Sequence, residues 1–153
     1  MIYMRNEMQK VRILLIVVML LLVTACADNE PDADYLIKKI EFNDLKNEVE
    51  SYIDQNIIES GIYLINSDDK HYLLLSNRNV ETGEEASYFS DVHAELSEGK
   101  LDIFFNEHFS EDYSDERLKD NMLIYLIRDN LDLEYILIHK NGVEVYFDTI
   151  FVI

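Results

Sequence analysis

The chain has 153 residues, of which 48% are apolar, so its composition fits one globular domain and disfavours a disordered chain. Its 31 acidic and 13 basic side chains give a net charge of −18, and such a surface is repelled by phosphate backbones, which argues against nucleic-acid binding. The single cysteine, Cys26, excludes an internal disulfide, a CxxC redox pair and a thiolate metal cage.

The first 25 residues have the pattern of a secretory signal peptide. Arg5, Lys10 and Arg12 give the start a positive bias, and residues 13–23 (ILLIVVMLLLV) then form eleven apolar positions without a charge. That run is shorter than the roughly 20 residues with which a helix crosses the hydrocarbon layer. A charged start followed by a short apolar segment is typical of a signal that is cleaved.

The end of the apolar run, Val23-Thr24-Ala25-Cys26, resembles the lipobox of bacterial lipoproteins. In that class the signal is cut just before the cysteine, whose sulfur carries a diacylglycerol. The resemblance covers residues 1–26 only. It implies a signal peptide at 1–25, lipid attachment at Cys26 and a place on the extracytoplasmic face of a bacterial cell membrane. The alternative, an uncleaved N-terminal helix, gives the same compartment because the positive flank stays inside.

Residues 26–34 (CADNEPDAD) predict a flexible acidic tether that holds the chain's only proline. The eight residues beyond the cysteine reach at most about 25–29 Å. After Cys26 the chain carries 30 acidic and 10 basic side chains, so tether and domain are repelled by anionic headgroups. The remaining residues, 35–153, are predicted to form a single globular domain.

The N-terminal part of this domain predicts one main helix. Asn43 and Asp44 can cap a helix that runs to about Gln55. Its apolar residues recur at i, i+4, i+7 and i+8, on one stripe: Leu45, Val49, Tyr52 and Ile53. Residues 35–42 before it fit a strand better than an earlier helical turn. Beyond Gly61 the spacing of the apolar residues changes from the helical period to the spacing that is typical of β-strands.

Turn residues and register predict three β-hairpins. Asn141-Gly142 is the strongest two-residue turn signal. It pairs Ile138 with Val145, Ile136 with Phe147, His139 with Glu144 and Leu137 with Tyr146. A second hairpin joins residues 62–65 to 72–75 across the polar loop 66–70.

In the third hairpin, Glu98-Gly99 closes a turn between residues 91–97 and 100–106. This register sorts the side chains cleanly between two faces. One face is apolar: Val92, Ala94, Leu96, Leu101, Ile103 and Phe105. The other is mostly polar: Asp91, His93, Glu95, Asp102, Phe104 and Asn106.

Further strands at 122–127, 133–139 and 149–153 bring the expected count to seven or eight short strands. Residues 114–119 predict one helical turn capped by Ser114. Successive strands lie close in sequence, which favours antiparallel pairing. The sequence therefore predicts an α+β domain, predominantly antiparallel β with one main N-terminal helix, built as a curled sheet or a small sandwich.

The polar face of the third hairpin carries a candidate metal site. Asp91, His93 and Glu95 alternate on one predicted strand, and Asp102 stands opposite Glu95. Alternate side chains of a strand share a face, so an imidazole and several carboxylates converge. Such a set suits Zn²⁺ or Mn²⁺, or proton transfer. The simpler interpretation is a solvated sheet face, since no motif such as HExxH accompanies it.

Two other features point to binding. Residues 107–116 place five acidic side chains in one predicted loop, a composition that suits weak Ca²⁺ binding but lacks EF-hand spacing. Phe104 lies on the polar face beside His93, where it is a candidate interface anchor. Packing within the fold is the more ordinary role for such a ring.

The sequence contains no nucleophile elbow, phosphate loop or zincin helix. We therefore expect a membrane-anchored, non-catalytic binding or accessory domain that contacts another envelope protein, with no cofactor beyond weak Ca²⁺. The alternative is a cation-dependent module, either a Ca²⁺ or Zn²⁺/Mn²⁺ binder or a metal-dependent hydrolase. A solute-binding lipoprotein is a third interpretation, for which the domain is small.

Overall fold

The computed structural model describes residues 35–57, 59–68, 70–78 and 84–153. The predicted signal peptide, Cys26 and the acidic tether lie outside the described residues. Tyr35–Ile153 group together as one compact unit. Within the described ranges, no helix combines the length and the apolar character that crossing a membrane requires.

The described residues contain one α-helix and nine strands, one or two strands more than expected. The helix, α1, spans Asn47–Asn56. The strands are β1 (Ile37–Ile40), β2 (Gly61–Ser67), β3 (Lys70–Ser76), β4 (Ala86–Ser97), β5 (Lys100–Ser110), β6 (Met122–Ile127), β7 (Tyr135–Lys140), β8 (Val143–Val145) and β9 (Thr149–Val152).

These strands form two sheets. One has five strands in the order β1-β6-β3-β2-β9, and the other has four in the order β4-β5-β7-β8. Of the seven strand pairs in the described part of the chain, five are antiparallel, while β2–β9 and β5–β7 are parallel. The predicted α+β class is confirmed, in the form of two packed sheets with a helix.

The five-stranded sheet is the middle of three layers, because both of its faces are buried. One face packs on the four-stranded sheet through a core of Ile62, Leu64, Leu73, Leu75, Leu101, Ile103, Phe105, Leu123, Tyr125, Ile127 and Ile138. The opposite face packs on α1 through Leu45, Val49, Ile53, Ile57, Tyr63, Ile65, Tyr72, Leu74 and Ile124. A strand buried on both faces is apolar at successive positions, which accounts for the unbroken run at 72–75 in β3.

The helix begins later than predicted, so the expected cap at Asn43 and Asp44 is wrong. These residues belong to a 3-10 turn, Phe42–Asp44, and the backbone of Leu45 is extended. The side chain of Leu45 is buried against the sheet before the helix starts. The chain therefore reaches the core as an extended link, and α1 starts only after Lys46.

Two predicted hairpins form with the expected register. Ile138 pairs with Val145 around Asn141-Gly142, both of which have the positive φ that a type I′ turn requires. The pairs predicted beyond Val145 are wrong, because β8 ends there and the chain crosses to the other sheet as β9. The β2–β3 hairpin pairs Ile62 with Leu75, and its strands extend further toward the turn than expected.

Candidate functional site

The β4–β5 hairpin places the candidate residues on the outer face of the four-stranded sheet, meaning the face directed away from the five-stranded sheet. Its turn and register are as predicted, with Glu95 opposite Asp102 and His93 opposite Phe104. Glu98 and Gly99 have φ values of 50° and 77°, as a type I′ turn needs. The alternation along β5 turns Leu101, Ile103 and Phe105 into the core and turns Asp102 and Phe104 to the outer face. On that face Asp102 is buried by its neighbours, at 9% exposed, and Phe104 is half-buried.

Asp91 departs from its predicted position opposite Asn106. Ser90 takes that place, and the register shifts between Ser90 and His93. The φ of Asp91 is 55°, so this residue forms a β-bulge in the left-handed region, which aspartate tolerates better than most residues. Asp91 Oδ2 accepts hydrogen bonds from Ser90 Oγ at 2.8 Å and from Asn106 Nδ2 at 3.0 Å. Through these hydrogen bonds the Asp91 carboxylate stabilises the bulge.

Three rings stack across three neighbouring strands of the outer face. The centroid of Phe104 lies 5.1 Å from that of His93 and 4.5 Å from that of His139, with interplanar angles of 15° and 17°. Parallel pairing of β5 with β7 sets Phe104 opposite His139. We call His93, Phe104 and His139 the ring ladder. Phe104 is half-buried because its two neighbours cover its faces.

Asp102 holds the His139 ring of the ring ladder in place. Its Oδ1 accepts a hydrogen bond from Nε2 of His139 at 2.8 Å, and its Oδ2 lies 2.9 Å from Nζ of Lys100. The His139 hydrogen bond, followed by that of Lys100, lowers the pKa of the Asp102 carboxyl. The electrostatic repulsion between Asp102 and Glu95, which stand opposite each other, is thus offset by His139 and Lys100, which both contact the Asp102 carboxylate.

A second cluster extends the outer face from the bulge. His108 Nε2 donates to Ser90 Oγ at 2.9 Å, and the ring of His108 stacks on Tyr88 at 5.0 Å. The guanidinium of Arg117 lies 4.5 Å from the centre of the Tyr88 ring, within cation–π distance. Three of the four histidines of the chain therefore occupy this face. The fourth, His71, contacts Asn66 in the other sheet.

The order of these groups differs from that of a hydrolytic triad. In a triad the histidine stands between the hydroxyl and the carboxylate, so that it can take the hydroxyl proton. Here Ser90 stands in the middle: its hydroxyl donates to Asp91 and accepts from His108. The pKa of Asp91 is lowered, chiefly by the Ser90 hydrogen bond, which weakens it as a base.

Comparisons of the chain with protein-family models, with curated proteins and with solved structures return no match.

The candidate metal ligands Asp91, His93, Glu95 and Asp102 share the outer face but do not form a cage. Across the described ranges, no group of three or more His, Cys, Asp or Glu side chains is arranged to hold a metal ion. Oδ2 of Asp91 and both carboxylate oxygens of Asp102 are occupied by protein donors. His93 Nδ1 donates to the carbonyl oxygen of Asp91 at 2.8 Å, so the imidazole also supports the bulge.

The acidic loop predicted at 107–116 is shorter than expected, because β5 continues to Ser110. Asp112 Oδ1 accepts from both the backbone and the hydroxyl of Ser114, at 2.9 and 2.6 Å. Asp115, not the predicted Ser114, caps the following 3-10 turn and accepts from Arg117 N at 3.0 Å. The side chain of Arg117 lowers the pKa of Asp115 to about 2. Both carboxylates thus organise the loop itself.

Sequence reasoning missed the partners of the outer face. It paired His139 with Glu144, which is confirmed, but it gave no contact between His139 and Phe104 or Asp102. That contact depends on the parallel pairing of β5 with β7, which no local turn specifies. The residues of β7 do not themselves indicate which strand lies beside it.

Proposed function

We propose that the chain is a membrane lipoprotein, attached through Cys26 on the extracytoplasmic side, whose domain binds another envelope protein without catalysing a reaction. The lipobox resemblance of residues 23–26 supports the attachment. The ring ladder supports the binding, because it stacks three rings side by side on the outer face of the four-stranded sheet, which no other described layer covers. Phe104, at its centre, is the residue on which the proposal chiefly rests.

The ring ladder suits binding because it is organised before a partner arrives. Each ring is held by a neighbour or a hydrogen bond, so little side-chain entropy remains to be lost on association. Stacked rings cover their own faces and offer their edges and polar atoms to a partner. A rigid aromatic centre within a polar rim is the usual composition of a protein interface.

The charge of the domain indicates a basic partner surface. Residues 35–153 carry 26 acidic and 10 basic side chains, a net charge of −16. Around the ring ladder, Glu95 and Glu144 are exposed. Such a potential raises the association rate with a positively charged partner and repels acidic ones.

The cation-dependent alternative receives less support. It requires carboxylates that can turn toward a metal, whereas Asp102 is hydrogen-bonded to His139 and paired with Lys100. A metal would have to displace these donors before it could bind. Titration of the protein with Ca²⁺, Zn²⁺ and Mn²⁺, followed by the unfolding temperature, tests this: a rise that saturates at micromolar metal would favour the alternative over the binding domain.

Site-specific photocrosslinking in intact membranes tests the binding proposal. A photoreactive amino acid replaces Glu95, beside the ring ladder, or Gln55, on the exposed side of α1 in the opposite layer. We expect one reproducible protein adduct from position 95 and none from position 55. Phe104→Ser should abolish the adduct, whereas Phe104→Tyr, which keeps a stacking ring, should retain it. Adducts that are equal at both positions, or unaffected by Phe104→Ser, would contradict the proposal.

The attachment is tested by the mass of the purified chain. We expect cleavage before Cys26 and the added mass of a diacylglycerol on its sulfur. Cys26→Ala should leave the signal uncleaved and the lipid absent. A wild-type chain that keeps residues 1–25 would instead identify an uncleaved N-terminal helix.

A further inference from the structure

The two sheets end in four edge strands, and three of these carry features that discourage further pairing. Exposed strand edges are templates for other strands, and proteins protect them with charges, bulges or short length. β1 exposes Lys38 and Lys39, β4 contains the bulge at Asp91, and β8 has only three residues, one of them Glu144. The fourth edge, β9, has the sequence TIFV, with no charge and no proline.

In the described part of the chain, one side of the β9 backbone has no strand beside it. β9 pairs with β2 alone among the strands of the described residues. The N–H of Ile153 donates to the carbonyl of Asn66 in β2 at 2.9 Å. Because backbone groups of a strand alternate in direction, Phe151 also turns toward β2, and Ile150 and Val152 direct their N–H and C=O groups away from it.

The side chains at the same two positions are exposed and apolar. Ile150 is 55% exposed and Val152 is 82% exposed. On the opposite face, the ring of Phe151 lies 5.2 Å from Tyr52 and 6.0 Å from Tyr63, so the strand is fixed to the core. β9 is thus a firmly held edge with free backbone groups and apolar side chains.

We propose that β9 binds an extended segment of another protein by strand addition. The segment hydrogen-bonds to the outward backbone groups of Ile150 and Val152 and places apolar side chains at alternate positions against theirs. Basic residues flank its apolar part, because the domain has a net charge of −16. This surface belongs to the five-stranded sheet and is independent of the ring ladder.

A second copy of the chain fits this edge less well. Two domains that each carry −16 repel one another as they approach. Pairing β9 with β9 would join four residues of each copy, whereas a stable interface involves about 20–30 residues a side. A basic segment is attracted by this charge instead of repelled, and as a flexible chain it does not have to bring a second folded domain against the edge.

The test uses the full chain in detergent micelles and a synthetic peptide of alternating valine and threonine flanked by lysines. We expect the peptide to bind and to slow amide exchange at Ile150 and Val152. A peptide whose central backbone nitrogens are methylated should bind about tenfold more weakly, because it cannot complete the ladder. A peptide with glutamate flanks should also bind about tenfold more weakly at low salt.

Two variants of one position complete the test. Val152→Pro removes an outward N–H to which none of the nine described strands is paired, and proline is tolerated at such edge positions. We expect it to weaken peptide binding about tenfold, whereas Val152→Thr, which keeps the N–H, should change binding by less than about threefold. Should the proline variant fail to fold, the methylated peptide decides the question on the wild-type chain.

Several outcomes would overturn the proposal. These are no binding of the lysine-flanked peptide up to about 1 mM, equal binding of the methylated peptide, or slowed exchange outside β9 only. Equal binding of the glutamate-flanked peptide would overturn the basic character assigned to the segment. Sedimentation that shows a dimer without peptide, dissociated by Val152→Pro, would assign the edge to a second copy.

Discussion

Asp102 Oδ1 lies 2.8 Å from Nε2 of His139, on a parallel strand 37 residues further along the chain. This hydrogen bond joins β5 to β7 on the outer face and, with Lys100, lowers the pKa of Asp102. The folded state therefore favours the ionised carboxylate more than the unfolded state does. Stability depends on pH wherever a pKa differs between the two states.

We predict that Asp102 stabilises the domain above its unfolded pKa, near 3.9, and that this contribution is lost as the pH falls through the lower, folded pKa. Asp102→Asn removes the ionised group, so the variant should be less stable than the wild type at pH 6. The difference in the free energy of unfolding should shrink toward pH 2. Urea unfolding across this range measures it. Asp132→Asn, which removes an exposed carboxylate, serves as the control. A difference that stays constant with pH would contradict the assignment.

Two glycines with the same backbone angle provide a matched pair. Gly99 and Gly142 both have a φ of 77°, so an alanine at either is strained. A Cβ on Gly99 would lie 3.2 Å from the carbonyl oxygen of Asp132, whereas one on Gly142 meets nothing within 4 Å. We expect Gly142→Ala to cost about 1 kcal/mol and Gly99→Ala about 2 kcal/mol in urea unfolding. Equal losses of stability in the two variants would show that the backbone near Asp132 shifts to make room for the added Cβ.

The parts of the fold that sequence reasoning predicted correctly are specified by neighbours in the chain. A turn such as Asn141-Gly142 dictates both the direction and the register of the strands beside it. The same holds for Glu98-Gly99, which set Glu95 against Asp102 and placed the candidate residues on one face. In each case a turn signal and the apolar alternation agreed.

The parts that were missed depend on distant partners. The parallel pairs β5–β7 and β2–β9 join segments with no common turn, so nothing local indicates them. The bulge at Asp91 adds one residue to β4, which shifts only the strand beyond it and leaves the turn unchanged. The late start of α1 follows from the burial of Leu45, which outweighs the capping preference of Asn43 and Asp44.

The core between the two sheets predicts a large difference between two phenylalanines of β5. Phe105 is 2% exposed, and Phe109, four residues later, is 59% exposed. We expect Phe105→Ala to cost about 3–5 kcal/mol, because it removes a ring from the closed core. Phe109→Ala should stay within about 0.5 kcal/mol of the wild type. Similar losses for both variants, measured by urea unfolding, would mean that the sheets do not pack through Phe105.

The ring ladder should also be measurable as a coupling energy. The rings of His93 and Phe104 stack at 5.1 Å, and such pairs contribute about 0.5–1.5 kcal/mol beyond their burial. In a double-mutant cycle of His93→Leu and Phe104→Leu we therefore expect the two losses to be non-additive by about 0.5–1 kcal/mol. A parallel cycle of Phe104→Leu with Tyr135→Leu, whose side chain does not share the stack, should be additive. Additivity in both cycles would show that the rings of His93 and Phe104 lie side by side without stabilising each other. It would contradict the proposal that the ring ladder is organised before a partner binds.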